Sequence, residues 1–249
     1  MGWSAEFRVR EYECDLYGHL NNANYLRWMQ AVDEQNPIGD RPIRTVVEYL
    51  TPLEPGRTAR VEATAERRDR GYRLHSYRFI ADGAEVARGT AEWLAVGGSD
   101  LGREMPQAPP PPPGKFVVAK SVEWRDVGID AAVNIASLAA LAEDAGIRVA
   151  AAHGWSMTRC AAEGFAIVLR KMSAAYTSLA GLDDEIGIET WVSDPRRSMA
   201  TRHYEIRRVS DHGLIARFRA LYVWVDIDTN RPIRIPEGFL TDFSANFVS

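Results

Sequence analysis

Cysteine is almost absent from this chain. Two cysteines, Cys14 and Cys160, in 249 residues exclude a disulfide framework and leave no cysteine spacing for a metal. A reducing cytoplasm is the expected setting. A long apolar run is missing, so no membrane-spanning helix is expected. No secretory leader is expected either, because Glu6 and Arg8 precede any apolar stretch. Position 6 is Glu rather than Ser or Thr, which argues against myristoylation at Gly2. A basic surplus is lacking. The net charge of -4 is not the footprint of a nucleic-acid binder. What remains is 46% hydrophobic and 26% charged, ordinary globular composition with room for one large domain or two small ones.

Proline is scarce except in one place. Residues 99–115 carry five consecutive prolines, Pro109 to Pro113. Such a run is stiff, extended and unable to join a sheet interior, so it reads as a linker. The flanks, 1–98 and 116–249, read as two copies of one unit. Glu13-Cys-Asp-Leu-Tyr-Gly-His-Leu-Asn21 lies over Asp126-Val-Gly-Ile-Asp-Ala-Ala-Val-Asn134. Tyr49 lies over Tyr176, Ser76-Tyr77 over His203-Tyr204, and Ala87-Arg88 over Ala216-Arg217. The offset grows along the chain, which puts an insertion in the helical region of the second copy and a smaller one in a hairpin.

Each copy has the same order of elements. A short strand (6–11; 120–124) precedes a loop and a helix, followed by strands that alternate apolar and polar residues. The first helix is expected over 24–32; the second starts near Val133 and runs through an Ala-rich stretch of good helix formers. Asp82-Gly83 and Asp211-His-Gly213 are hairpin turns. A helix with a strand meander, written twice, predicts an α+β fold: two antiparallel sheets, each curled over its helix and joined to the other at an edge.

The chemistry is concentrated in Asp15-Leu-Tyr-Gly-His-Leu-Asn-Asn22. A carboxylate follows a strand, Gly18 lets the backbone turn, and Asn21 or Asn22 is an expected N-cap for the helix that carries Tyr25. A helix N-terminus presents free N–H groups and a positive dipole end, which can stabilise an oxyanion. Asp15 is placed to activate water or attack a carbonyl directly, and His19 to orient the substrate or the water. Turn-making is the alternative role for these residue types. The second copy has Gly128 in place of Asp15 and Ala132 in place of His19, which suggests that the turn needs neither and that their role is chemical. Cys14 reads as core, facing away from Asp15.

The segment 15–29 resembles the Asp-x-x-Gly-His-Val-Asn-Asn-x-x-Tyr signature of hotdog-fold thioesterases, among them the 4-hydroxybenzoyl-CoA thioesterase-like group and the acyl-ACP thioesterases, which are double hotdogs on one chain. Val46 to Gly56 is similar to the family's second strand, and Val225 to Pro236 to its typical ending. The resemblance implies a tandem hotdog joined as an intramolecular pseudo-dimer that hydrolyses an acyl-ACP or acyl-CoA thioester in fatty acid or polyketide metabolism. It implies Asp15 and His19 as catalytic residues. Gly18, Asn21, Asn22 and Tyr25 would hold the oxyanion or position the substrate. No metal or cofactor is implied. Tyr17 stands where the plant-type enzymes have Asn, which leaves Asp15 open as nucleophile or general base.

Other residues have weaker claims. Arg67, Arg68, Arg70 and Arg73 cluster near one turn, and Arg196-Arg197 occupy the corresponding place in the second copy. Of these, Arg70 and Arg197 are the candidates for the phosphates of CoA or of a carrier's pantetheine arm; a solvated strand end is the alternative. Glu143 and Asp144 are expected to face solvent, His75 and His203 to be structural, and Trp28 and Met29 to line either an acyl pocket or the core. The expected partners are acyl-CoA or acyl carrier protein and a further copy of the chain, with neither nucleic acid nor membrane. Two rival readings stand beside hydrolysis: dehydration or hydration of an acyl thioester, and binding of acyl-CoA or a carrier without turnover.

Overall fold

The computed structural model describes residues 2–34, 42–67, 72–94, 108–113 and 115–248. The chain divides into two compact units. The first comprises 1–105 with 171–176, the second 106–170 with 177–249.

In the first unit, β1 (Gly2–Arg8), β2 (Pro42–Tyr49), β3 (Thr58–Arg67), β4 (Tyr72–Ala81) and β5 (Ala84–Leu94) form a sheet in the order β1-β3-β4-β5-β2. All of its pairs are antiparallel. Residues 171–176 add a further antiparallel strand on β2, with Glu48 opposite Lys171. Alternation decides which face is buried: Val61 and Ala63 point inward, Arg60 and Glu62 outward. The one α-helix among the described residues of this unit, α1 (Asn22–Asp33), buries Tyr25, Trp28, Met29 and Val32, the i, i+3, i+4, i+7 stripe of a helix lying on a sheet. Trp28 stacks on Phe7 with ring centroids 5.2 Å apart. A Cβ on Gly89 would come within 3.0 Å of Met29 Sδ. Trp28 and Met29 are therefore core.

The second unit contains β6 (Phe116–Ser121), α2 (Ile135–Ala152), α3 (Met157–Ala162), three further long strands in full, and the C-terminal elements. Here β8 (Glu185–Ser193), β9 (Met199–Arg208) and β10 (Leu214–Asp226) pair antiparallel in that order. β6 pairs antiparallel with β8. α4 (Glu237–Asp242) precedes a two-residue strand, β11 (Phe247–Val248), that runs parallel to the end of β8. The strand β7 (Phe165–Tyr176) is divided between the units after Arg170. The insertion in the helical region is the six-residue extension of α2, together with α3 and its flanking turns. Trp155, Phe165, Trp224, Phe239 and Phe243 pack together in this unit.

Element boundaries differ from the sequence reading. The first strand ends at Arg8 because a single 3₁₀ turn, Glu11–Glu13, intervenes. The second copy's first strand lies at 116–121, and Trp124–Asp126 forms the matching 3₁₀ turn. Of the proline-rich segment only 108–113 and 115 are described. There the Trp191 indole N–H donates to the Pro109 carbonyl at 3.1 Å, tying that stretch to the second unit. The Asp82-Gly83 hairpin has both residues at positive φ, 49° and 77°, the backbone of a type I′ turn. Among the described residues no helix is long and apolar enough to cross a membrane.

Candidate active site

The loop that carries Asp15 is closed at its base and knotted by its own side chain. Cys14 bridges to Leu20. The Asp15 N–H donates to the His19 carbonyl at 2.8 Å, and the Gly18 N–H to the Asp15 carbonyl at 3.0 Å. Gly18 takes a φ of 75°, which glycine reaches without a Cβ clash. Inside this turn, Asp15 Oδ1 accepts the N–H of Tyr17 at 2.9 Å and that of His19 at 3.3 Å. Its other oxygen, Oδ2, accepts no hydrogen bond from the described residues. Asp15 and His19 are both half-buried.

Directly after the turn, the Leu20 N–H donates to the Leu53 carbonyl at 2.7 Å, and α1 begins. Asn21 is the N-cap: its Oδ1 accepts the Ala23 N–H at 3.0 Å, and its carbonyl accepts the Asn24 N–H at 2.9 Å. The Asn24 amide then donates to the Glu13 carbonyl at 2.9 Å, which locks helix to loop. Two of the N–H groups expected to hold an oxyanion are thus already occupied, as is that of Gly18. The Asn21 N–H is occupied too, donating to the Glu13 carbonyl at 2.9 Å. The Asn22 carbonyl accepts the Tyr49 hydroxyl at 3.2 Å.

Tyr25 lies one turn into α1 and is buried. Its ring packs edge-on against Tyr49 and Phe79, each at 5.2 Å. Burial, and then the negative charge of Asp15, raise its hydroxyl far above the ordinary tyrosine value. Tyr25 therefore stays a neutral O–H donor throughout the working pH range. Cys14 is half-buried rather than core, its Sγ 3.5 Å from the Arg10 carbonyl. Its thiol is raised by burial and by Asp15, Glu13 and Glu11, the opposite of what an activated nucleophile requires.

The second unit repeats this loop. Val127 bridges to Val133, Gly128 N–H donates to the Ala132 carbonyl at 2.9 Å, and Ala131 N–H to the Gly128 carbonyl at 3.0 Å. Ala131 stands at φ 58° where the first copy has Gly18. Gly128 and Ala132 do stand where Asp15 and His19 stand, but the turn is not free of a carboxylate, which weakens the expectation that Asp15 has a chemical role alone. Asp130 Oδ1 accepts the Ala132 N–H at 3.2 Å, so the second copy keeps a turn carboxylate two positions further along. Asp15 likewise makes its own turn, through the N–H groups of Tyr17 and His19. Asn134 caps α2, its Oδ1 accepting the Ser137 N–H at 2.8 Å.

The remaining candidates are dispersed. Arg70 lies outside the described residues, as does Arg68. Arg197 is exposed in the loop between β8 and β9 of the second unit. Glu143 is buried, not solvated; the smallness of Ala139, Ala142 and Gly146 draws α2 close to the sheet and carries Glu143 in with it. Asp144 is partly exposed and paired with Lys120 and Arg148. His153 ends α2, its Nδ1 2.8 Å from the Val149 carbonyl and its ring stacked on Phe243. His75 is fully buried in a network the sequence did not disclose: its Nδ1 lies 3.1 Å from Asp33 Oδ1, and the Tyr77 hydroxyl donates to Asp33 Oδ2 at 2.5 Å. The available signal was Asp33 itself, a charged residue on the same helical face as Tyr25 and Met29.

The fold and the loop define a class of protein, and comparison with known proteins agrees with it. Residues 122–243 match the thioesterase-like superfamily. Residues 2–95, which hold the Asp15 loop, match the model of the acyl-ACP thioesterase C-terminal domain. The fold is shared with an acyl-ACP thioesterase from Bacteroides thetaiotaomicron at 14% identity, covering 89% of this chain and 97% of that one with a TM-score of 0.66. The 12:0-ACP thioesterase from Umbellularia californica is similar over 89% of this chain and 93% of its own, with 12% identity and a TM-score of 0.69. A 1,4-dihydroxy-2-naphthoyl-CoA thioesterase from Synechocystis aligns over 96% of its own length with only 52% of this chain, at 17% identity and a TM-score of 0.50. Among curated protein sequences nothing matches. The chain is a double hotdog of α+β class, and it belongs to the thioesterase superfamily. Its activity is hydrolysis of an acyl thioester.

Proposed function

We propose that this hydrolysis takes place in the first unit, at Asp15, on an acyl group carried by acyl carrier protein or CoA. The observation that carries the reading is the asymmetry of the Asp15 carboxylate. Oδ1 is fixed by two backbone N–H groups, which aims Oδ2 with little freedom and leaves it for the reaction. As general base, Oδ2 takes a proton from water as the oxygen adds to the thioester carbonyl; the C–S bond then breaks, and the thiolate leaves and is protonated. As nucleophile, Oδ2 itself adds, the thiolate leaves, and water cleaves the resulting anhydride. In both, negative charge develops on the carbonyl oxygen beside the positive end of α1. The Tyr25 hydroxyl and the first turn at Asn22 are the donors that serve it. His19 orients the water or the thioester, while Gly18 and Asn21 hold the turn and the cap.

The same reading assigns Arg197, and Arg70, to the anionic part of the carrier or CoA. It divides the chain into hotdogs at 1–98 and 116–249 with a linker at 99–115. It places the enzyme in the cytoplasm, in fatty acid or polyketide metabolism, where two free thiols fit a reducing setting. Self-association is part of it, measured by light scattering.

Thiol release from an acyl-CoA and acyl-carrier panel tests the site. Asp15→Asn abolishes release and Cys14→Ala retains it. A single turnover in ¹⁸O water separates the two mechanisms, because label in the Asp15 carboxylate marks the nucleophile. An Asp15→Asn enzyme as fast as wild type would remove the assignment.

A further inference from the structure

We propose that four arginines of the second unit, Arg196, Arg197, Arg231 and Arg234, form a docking surface for the acidic face of a carrier protein; the proposal rests on the thioesterase reading and names its macromolecular substrate. The four come from two segments far apart in sequence. Arg196 and Arg197 lie in the loop from β8 to β9, and Arg231 and Arg234 follow β10. The backbone brings the segments together: the Ile235 N–H donates to the Arg197 carbonyl at 2.8 Å, and the Trp224 N–H to the Ser198 carbonyl at 2.9 Å. The Ile233 N–H donates to the Trp224 carbonyl at 2.9 Å, so Arg234 sits in the same short ribbon.

All four side chains are exposed, and none makes an ion pair among the described residues. That sets them apart from most other cations of this unit, exposed or half-buried. Lys115 pairs with Glu189, Lys120 and Arg148 with Asp144, Arg159 with Glu163, Arg207 and Arg217 with Glu205, and Arg208 with Asp184 and Asp211. A chain with a net charge of -4 repels an acidic partner in general, so an unpaired cluster of guanidinium groups fixes where such a partner approaches. Asp226 adjoins the cluster, but its Oδ1 is held by Thr229 and the Asp228 N–H. The four groups stand on open surface and extend over two loops, which fits a run of carboxylates on a folded protein better than one compact phosphate group.

The test is a direct binding measurement together with turnover. Fluorescein-labelled holo-acyl carrier protein is titrated with wild type and with Arg196→Glu/Arg197→Glu/Arg234→Glu, after thermal melts establish that the variant is folded. Wild type binds, more weakly as salt is added, and the variant binds at least about tenfold more weakly. In turnover, the ratio of kcat/KM on acyl-carrier to that on acyl-N-acetylcysteamine falls by a similar factor, through KM. Equal binding by both proteins, or none by wild type, overturns the proposal. So does a variant that binds the carrier normally but loses acyl-CoA turnover, which makes the cluster a nucleotide-phosphate site. Carrier binding that depends on the cluster in a protein that releases no thiol from any substrate supports the surface and sinks the hydrolysis reading instead.

Discussion

Asp15 meets His19 through the backbone: its Oδ1 accepts the His19 N–H at 3.3 Å, while the His19 carbonyl accepts the Asp15 N–H at 2.8 Å. The carboxylate is thus part of the turn itself. Asn at this position keeps an oxygen acceptor for both N–H groups, and Ala keeps none. Asp15→Asn should lose activity by a factor on the order of a thousand while unfolding in urea close to wild type. Asp15→Ala should lose the same activity and, in addition, about 1–2 kcal/mol of stability from two unmet backbone bonds. If the two variants are equally stable, the turn role is wrong.

Gly146 marks a place where the two units solve one packing problem differently. By the offset of the first loops it stands where α1 has Asp33. In the first unit Asp33 accepts the Tyr77 hydroxyl. In the second unit there is no side chain to accept, and the Tyr204 hydroxyl lies 2.6 Å from where a Cβ on Gly146 would sit, 3.2 Å from the Tyr222 hydroxyl. Gly146→Ala should therefore destabilise by about 1–3 kcal/mol despite the better helix propensity of Ala. Tyr204→Phe removes the clashing oxygen, so the double variant should recover part of the loss. A denaturation cycle measures the coupling, and strict additivity would refute the contact.

These relationships show what the sequence can disclose. The repeat was legible because Asn21 and Asn134 hold one structural post and because strand alternation survives divergence. The turn carboxylate was not legible as such: a backbone N–H is satisfied by Oδ1 from either of two positions in the loop, so Asp15 and Asp130 do not align. Glu143 was misread for a different reason. Its exposure depends on how closely α2 approaches the sheet, which small residues on both sides decide. The Asp33–His75–Tyr77 network and the arginine cluster join residues distant along the chain, and no local pattern announces them.

His203 gives the stability a pH dependence. It is buried, with Nε2 2.7 Å from Ser193 Oγ and its ring stacked on Trp191. Burial first, and the positive charge of Arg219 second, lower it to about 4, against a smaller opposing effect of Asp194. The unfolded chain takes up this proton near pH 6.5. Between the two values the unfolded state binds more protons, so stability is intact above about pH 6.5 and falls as the pH drops toward about 4. The urea midpoint should decline over that range in wild type and decline less in His203→Gln. Parallel declines would exclude His203 as the source.

The helix caps carry unequal loads. In α1 the work is divided: Asn21 Oδ1 accepts the Ala23 N–H, and the Asn24 amide donates to the Glu13 carbonyl. In α2 one residue does both, since Asn134 Oδ1 accepts the Ser137 N–H and its amide donates to the Asp126 carbonyl at 3.0 Å. Ser137, at the position of Asn24, is too short to make that second bond. Loss of a cap costs about 1 kcal/mol, and loss of the bond to the loop about 1 kcal/mol more. Asn134→Ala should then destabilise about twice as much as Asn21→Ala, and Asn24→Ala should account for the difference. Chemical denaturation of the three variants decides it. Because the Asn24 bond also fastens the Asp15 loop to α1, Asn24→Ala should slow thiol release, whereas Asn134→Ala, whose loop carries neither Asp15 nor His19, should change stability and leave turnover near wild type. Equal effects on turnover from the two would mean that the second loop takes part in the reaction after all.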